Sequence, residues 1–467
     1  MNRIFALFLL VAAAVRADEA RLSISAENFQ AAEKTISPEL VGFNLLYWID
    51  DQAAFESGQL ARQINGINPG LLRYPAGTAS QNYDWRSNQV INTNLFPYSP
   101  QNELLSTDAY IRLVKQTGAG GIVVVDIASA HLKDRKKGTA HAVAHPVSEA
   151  EEQAMVDKAM AWARHFKAKG FSPAFYELGN EHYLAFLDYM VFTPEMYAAK
   201  CKRFMAAIRA VDPDAKFAIC GPSPFGRGHF HYKDTPWWPV VLKELAPDVD
   251  RLVLHKYWKP KQINKDVTAE CGRFKKAVAE WGAQEGIAVD HLKIGFTEWG
   301  GRGHMDAETF GLFCFRVLSG LANEGIDFAV EWPFRWTEKG EFGSTQLIVR
   351  KSGKRRFAYH VLAVWSQFFS GKKIVPIASK LPRGIHAFAA IGENGDPALA
   401  LSNEGKTAQS IQLVVAWPEN IQTLELLELS ASKVRKLGEK EAGKPKSVSV
   451  EPKTILILRV GKGKSAP

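Results

Sequence analysis

Eight short apolar runs, most of them followed by helical periodicity, constrain the fold of this chain more than any other feature. They cover residues 40–46, 70–75, 121–127, 175–179, 216–221, 251–257, 292–297 and 327–332. The intervening helices announce themselves. Ser148 and Glu151 have capping-box spacing ahead of Met155, Ala159, Trp162 and Phe166, which mark one apolar face, and Gly170 closes the segment. Thr193-Pro194-Glu195 opens another helix, with Tyr197, Cys201, Phe204 and Ile208 on its buried side. Strand followed by helix, eight times over, predicts an α/β chain folded as a (β/α)8 barrel.

With 467 residues the chain is too long for one simple domain. After residue 370 its texture changes. Residues 386–391, 398–402, 411–415 and 454–460 are short alternating runs separated by Gly, Pro, Asn and Lys, the pattern of an all-β sandwich. The expected organisation is a targeting segment at 1–17 and an N-terminal segment at 18–36 that adds a strand to the sandwich. The catalytic barrel then spans 37–365, the sandwich 366–460 and a flexible tail 461–467. A Lys-rich stretch near 433–446 reads as a loop, and no internal repeat is visible.

Residues 1–17 carry Arg3, an apolar run and small residues at a cleavage position, so export to the periplasm or medium is expected, with an uncleaved anchor as the alternative. No later apolar stretch is long enough to span a bilayer. Loss of Arg3 and Arg16 takes the formal charge from +9 to +7, still basic. Four cysteines without CxxC spacing suggest neither zinc nor a fixed disulfide pairing; buried thiols are the default. The chain has no GxxxxGK[ST], HExxH or GxSxG motif, and His229 and His231 alone are a weak metal signal. Neither a metal nor another cofactor is called for.

Two glutamates stand where apolar strands give way to loops: Glu181 in YELGNEHY and Glu298 in IGFTEWGG. Counting strands puts Glu181 after the fourth and Glu298 after the seventh, and barrels carry their chemistry at that end. The 117 residues between them suit three strand-helix units. Two carboxyl groups converging on one mouth is what glycosidic bond cleavage requires: one protonates the departing oxygen, the other attacks or guards the anomeric carbon.

Carried by the GNE of Gly179–Glu181 and the TEWG of Thr297–Gly300, the chain resembles the clan A retaining glycoside hydrolases. In layout it is similar to the α-L-arabinofuranosidase, β-xylosidase, agarase and heparanase-like families, which append a β-sandwich to the barrel. The resemblance implies Glu181 as general acid/base, Glu298 as nucleophile and Asn180 as partner of the sugar 2-hydroxyl. It also implies that Arg73 (LLRYPAG) supports the nucleophile, that His255 and Tyr257 (LVLHKYW) belong to the sixth strand with the tyrosine hydroxyl on the nucleophile, and that Trp332 floors the sugar subsite. Each supporting residue has a plain alternative: Arg73 as a barrel-filling ion-pair partner, Tyr257 as core, Trp332 as packing. A guanidinium and a hydroxyl donor keep a nucleophile ionised, whereas burial keeps an acid protonated.

Basic residues crowd the loops expected at the same rim: Lys133, Arg135, Lys136, Lys137, His141 and His145, then Arg227, His229, His231 and Lys233. Lys256, Lys259 and Lys261 follow, and finally Arg302 and His304. A positive field there would concentrate an anionic chain, so a sulfated or uronic polysaccharide is the expected partner. Trp237, Trp238 and Trp258 are candidates to stack on sugar faces. Nucleic acid is the other partner of a basic surface, but an exported barrel with paired carboxylates has no use for it. Neutral glycans remain the alternative substrate, and a catalytically silent glycan-binding protein the alternative function. The sugar, the anomer, exo or endo action and the oligomeric state are not legible.

Overall fold

The structure, a computed structural model, describes residues 20–75, 77–93, 103–132, 147–184, 191–223, 237–259, 266–302, 305–337, 342–419, 421–431, 434–442 and 446–460. Residues 1–17, the tail at 461–467, His229, His231 and most of the proposed basic rim lie outside that set.

Eight parallel strands close into a barrel in chain order. They are Gly42–Asn44, Leu71–Tyr74, Gly120–Val125, Phe175–Leu178, Phe217–Gly221, Arg251–Trp258, Lys293–Gly301 and Phe328–Glu331. The helix signals hold in detail. Glu149–Ala168 begins with a complete Ser148/Glu151 capping box and buries Met155, Ala159, Trp162 and Phe166. Pro194–Arg209 is capped by Thr193 and buries Tyr197, Cys201, Phe204 and Ile208.

One strand departs from expectation in a way that matters. The seventh does not end before Glu298 but continues to Gly301, and its pairing with the sixth shifts register between Phe296 and Glu298. Neighbouring residues of a regular strand face opposite sides. This bulge turns Thr297 and Glu298 both into the barrel mouth, which the apolar run alone could not announce.

The C-terminal unit stacks two sheets. Six antiparallel strands run in the order Lys373–Val375, Ile385–Ile391, Pro397–Asn403, Thr454–Val460, Thr423–Leu429, Val434–Glu441. A second sheet joins Gln409–Val415 to Lys446–Val450 and, on its other edge, to the N-terminal strand Ala20–Ile24, which pairs in parallel with residues 411–415. The larger sheet is apolar on both faces. Leu399, Leu401, Leu456 and Leu458 pack with Leu22, Ile411 and Val448 inside the sandwich. Ala398, Ala400, Ile455 and Ile457, one residue out of step, join the barrel core with Trp365 and Phe369. The last barrel helix, Phe357–Phe368, therefore runs past the expected boundary at 365, because its end is buried between the two units.

The Lys-rich stretch is a second correction. Val434–Glu441 is a strand, not a loop. It forms the exposed edge of the larger sheet, where Lys436 reaches Glu425 of the neighbouring strand at 3.0 Å. Charges on an edge strand discourage pairing with another chain, which is why its composition imitates a loop.

Candidate active site

Arg73 is the hub of the barrel mouth. It rises from the second strand with no solvent exposure. Its Nε and Nη2 donate to the two oxygens of Glu177, each at 2.8 Å. Nη1 donates to Asn44 Oδ1 and to Glu298 Oε1, both at 2.9 Å, and Nη2 also to Asn180 Oδ1 at 2.7 Å. A guanidinium has five N–H groups, and these five bonds use them all. Asn44 is oriented in turn, its Nδ2 donating to the carbonyls of Thr297 and Glu331 at 3.0 Å.

Glu298 thus receives Arg73 on Oε1 and the Tyr257 hydroxyl on Oε2 at 2.8 Å. The space over it is kept open by Gly77, which sits at φ +61°. A Cβ there would stand 2.6 Å from the Trp332 ring and 3.6 Å from Glu298 Oε1. Trp332 is buried against Leu46 and Ile49, with Phe342 edge-on.

Glu181 arrives differently. The chain leaves the fourth strand through Gly179 at φ +75°, where a Cβ would collide with His182 and Ile127. Asn180 follows, held by Arg73 and by its own Nδ2 bond to Thr78 Oγ1 at 3.1 Å. Glu181 itself has φ +53°, a conformation a glutamate adopts only when its surroundings impose it. Its side chain is 15% exposed, against 6% for Glu298 and none for Glu177, so it reaches furthest towards solvent. Its Oε1 meets His255 Nδ1 at 2.9 Å. One oxygen of Glu181 and one of Glu298 lie within 4.8 Å of each other.

The electrostatics separate these acids. Burial raises the Glu181 carboxyl above its ordinary range; His255 pulls it down and Glu298 pushes it up, and the net is upward. Burial would raise Glu177 too, but Arg73 overrides it and holds that group below the usual value. Burial disfavours charge on His255, while Cys220, at 3.8 Å from Nε2, and the carboxylate of Glu298 raise its pKa well above the ordinary histidine value.

All seven sequence-assigned residues, Arg73, Asn180, Glu181, His255, Tyr257, Glu298 and Trp332, converge on this mouth. Asn180, however, spends its amide on Arg73 and Thr78 here. Four participants were missed. Asn44, Glu177 and Thr297 sit within strand runs, and Gly77 lies just after the second. A polar residue inside an otherwise apolar barrel strand was the available signal. Four other assignments fail: Lys256, Trp237, Trp238 and Trp258. Lys256, between His255 and Tyr257, points to the helix side and donates to Glu270 at 2.7 Å. Trp237, Trp238 and Trp258 are buried packing residues: Trp237 lies against Tyr183 and Tyr197, Trp238 against Phe274 and Trp258 against Phe296. Lys259 and Arg302 are exposed. The four cysteines are buried free thiols. Glu177, Cys220 and His255 are close enough to share an ion, as are Glu181, His255 and Glu298. Arg73 already compensates Glu177 and Glu298, so the arrangement reads as a hydrogen-bonded network.

No family model and no curated protein matches this chain. Solved structures do. CelM2, a bifunctional glucanase-xylanase from a metagenome library, superposes with a TM-score of 0.68 at 13% identity, over 95% of this chain and 99% of that one. The α-L-arabinofuranosidase of Thermotoga maritima, in its arabinose complex, gives 0.65 at 15%, over 94% and 99%. A family 44 xyloglucanase of Paenibacillus polymyxa gives 0.65 at 12%, over 94% and 99%. The chain has the fold of these structures, barrel and β domain together.

Proposed function

We propose that the protein is a retaining O-glycosyl hydrolase. The observation that carries this reading is that one carboxyl oxygen of Glu181 and one of Glu298 lie within 4.8 Å of each other, Glu298 being fixed by Arg73 and Tyr257 and Glu181 reaching further towards solvent. Retaining enzymes keep their carboxyl groups about 5–5.5 Å apart, whereas inverting ones leave about 6.5–9.5 Å for a water. Glu298, fixed by Arg73 and Tyr257, attacks the anomeric carbon as the bond to the leaving oxygen breaks. Glu181, protonated through burial, gives that oxygen its proton. Glu181 then takes a proton from water, whose oxygen displaces Glu298 and restores its carboxylate. Trp332 supplies an apolar floor, and Gly77 leaves room for the ring.

The substrate in this proposal is an anionic, sulfated or uronic polysaccharide, and the enzyme is exported. Support for the substrate comes from the net charge of +9 and the basic sequence of the loops following the third, fifth, sixth and seventh strands. The names of the superposing structures favour a second reading, neutral arabinose-, xylose- or glucose-containing glycans. Hydrolysis of a panel of sulfated, uronic and neutral polysaccharides separates the two. For the mechanism, Glu181→Ala is expected to retain turnover of aryl glycosides with good leaving groups and to lose it on poor ones, by about 10²–10⁴-fold. Glu298→Ala is expected to lose both. Equal loss on every leaving group in Glu181→Ala, or an inverted product from the wild type, refutes the assignment.

A further inference from the structure

Behind the catalytic pair lies a chain of hydrogen bonds that the proposed reaction does not by itself require. Glu177, fully buried, accepts twice from Arg73 and is therefore a carboxylate with nothing to donate. The Thr297 hydroxyl lies 2.9 Å from Glu177 Oε1 and must give it its single proton. The same hydroxyl oxygen is 3.0 Å from His255 Nε2, and with its proton spent it can only accept. Nε2 of His255 therefore carries a proton. The other nitrogen, Nδ1, faces Glu181 Oε1 at 2.9 Å and Glu298 Oε2 at 3.8 Å.

We propose that Thr297 and Glu177 are positioning residues that hold His255 as an imidazolium donating from both nitrogens, so that Oε1 of Glu181 is occupied and its transferable proton is confined to Oε2. This rests on the retaining reading above and adds to it the identity of the reacting oxygen. The groups facing His255 are Glu177 and Glu181 from the fourth strand and its loop, Cys220 from the fifth and Glu298 from the seventh. Arg73 stands behind Glu177.

Charge balance supports the arrangement. Before attack, Arg73 and His255 are positive, Glu177 and Glu298 negative, and Glu181 neutral. Once Glu298 becomes a glycosyl ester and Glu181 has passed its proton to the leaving oxygen, the negative charge has moved from Glu298 to Glu181. The buried set is neutral in both states, and Nδ1 stands within reach of both carboxylates. A neutral His255 would leave an uncompensated negative charge in each state, and its Nδ1 lone pair would draw the Glu181 proton to Oε1, away from the leaving group.

Nitrogen NMR of the full-length protein labelled at histidine tests this directly, with His255→Asn used to assign the signal. Both His255 nitrogens are expected to give protonated-type resonances from pH 5 to pH 8. Thr297→Val, which removes the acceptor and keeps the shape, is expected to bring a His255 titration into that window. It should also lower kcat/KM by about 10²-fold on glycosides with poor leaving groups and far less on good ones. Thr297→Ser, which restores the hydroxyl, is expected to return both readouts to wild type. An unprotonated Nδ1 in the wild type at pH 6 overturns the proposal, and that measurement does not depend on any variant folding. So does a Thr297→Val spectrum in which His255 is unchanged. A doubly protonated His255 in a protein that hydrolyses no glycoside sinks the glycosidase reading while leaving the proton placement intact.

Discussion

Two glutamates of the barrel wall are equally buried and electrically opposite. Glu177 of the fourth strand points into the mouth, where Arg73 clasps both its oxygens and Thr297 adds a third bond. Glu331 of the eighth points the other way, beside Cys314 of the surrounding helix layer, and neither of its oxygens has a hydrogen-bond partner among the described residues. Arg73 holds Glu177 below the usual carboxylate range, whereas burial alone drives Glu331 far above it. Depth is the same, so partners decide the charge. The interior of the mouth is an ion network that tolerates carboxylates; outside the wall Glu270 is tolerated as one because Lys256 pairs with it, whereas partnerless Glu331 is held towards the acid form.

The strongest way to break the contrast is to disarm the paired member. Glu177→Gln keeps the volume but turns an N–H towards Arg73 and leaves its buried charge short of a counter-ion. A loss of about 3–5 kcal/mol in urea unfolding is expected, with a corresponding fall in turnover. If stability changes by less than about 1 kcal/mol, the hub is not organised by charge.

Next comes the unpaired member. Glu331→Leu is expected to stabilise the protein at pH 7 by about 1–3 kcal/mol, the cost of keeping an unsatisfied polar group buried. The sign with pH follows from the upward shift. The unfolded chain releases the Glu331 proton near the ordinary glutamate value of 4.5, while the folded chain retains it. The unfolded state therefore binds fewer protons above that pH, and this residue's contribution to stability falls as pH rises. Denaturation midpoints from pH 5 to 8 should slope less steeply downward in Glu331→Leu than in the wild type. Identical slopes would mean that Glu331 ionises within the fold.

The smallest effect belongs to charges that are neither buried nor committed to the hub. Replacing exposed Lys259 and Arg302 by Ser is expected to move stability by less than about 0.5 kcal/mol. On a sulfated or uronic polymer it should instead flatten the rise of KM with sodium chloride, because exposed charges are screened over about 8 Å near physiological salt. A wild-type KM that ignores salt speaks for neutral substrates.

The legible part of this molecule was whatever leaves a periodic trace. The barrel strands and the helices starting at Ser148 and Thr193 could be read because burial imposes spacing. Glu181 and Glu298 stood out by chemistry at a strand end. Hidden were relations that depend on which way a strand residue faces. Lys256 looked like a rim cation although its neighbours His255 and Tyr257 take the inward face. Glu177, Asn44 and Thr297 looked like strand filler, since their partners come from other strands. The bulge at Thr297 leaves no mark in the run Leu292–Thr297, and charges on Val434–Glu441 suppress the alternation that normally betrays a strand.

The N-terminal strand Ala20–Ile24 lies parallel to residues 411–415, nearly the whole chain away. During synthesis it emerges before every barrel strand and must wait for its neighbour until after the last of them. Closing the sandwich is thus a late event, and until it happens Leu22 and Ile24 stay exposed on a waiting strand. A chain halted before residue 411 has a complete set of barrel strands but no place to dock its own beginning.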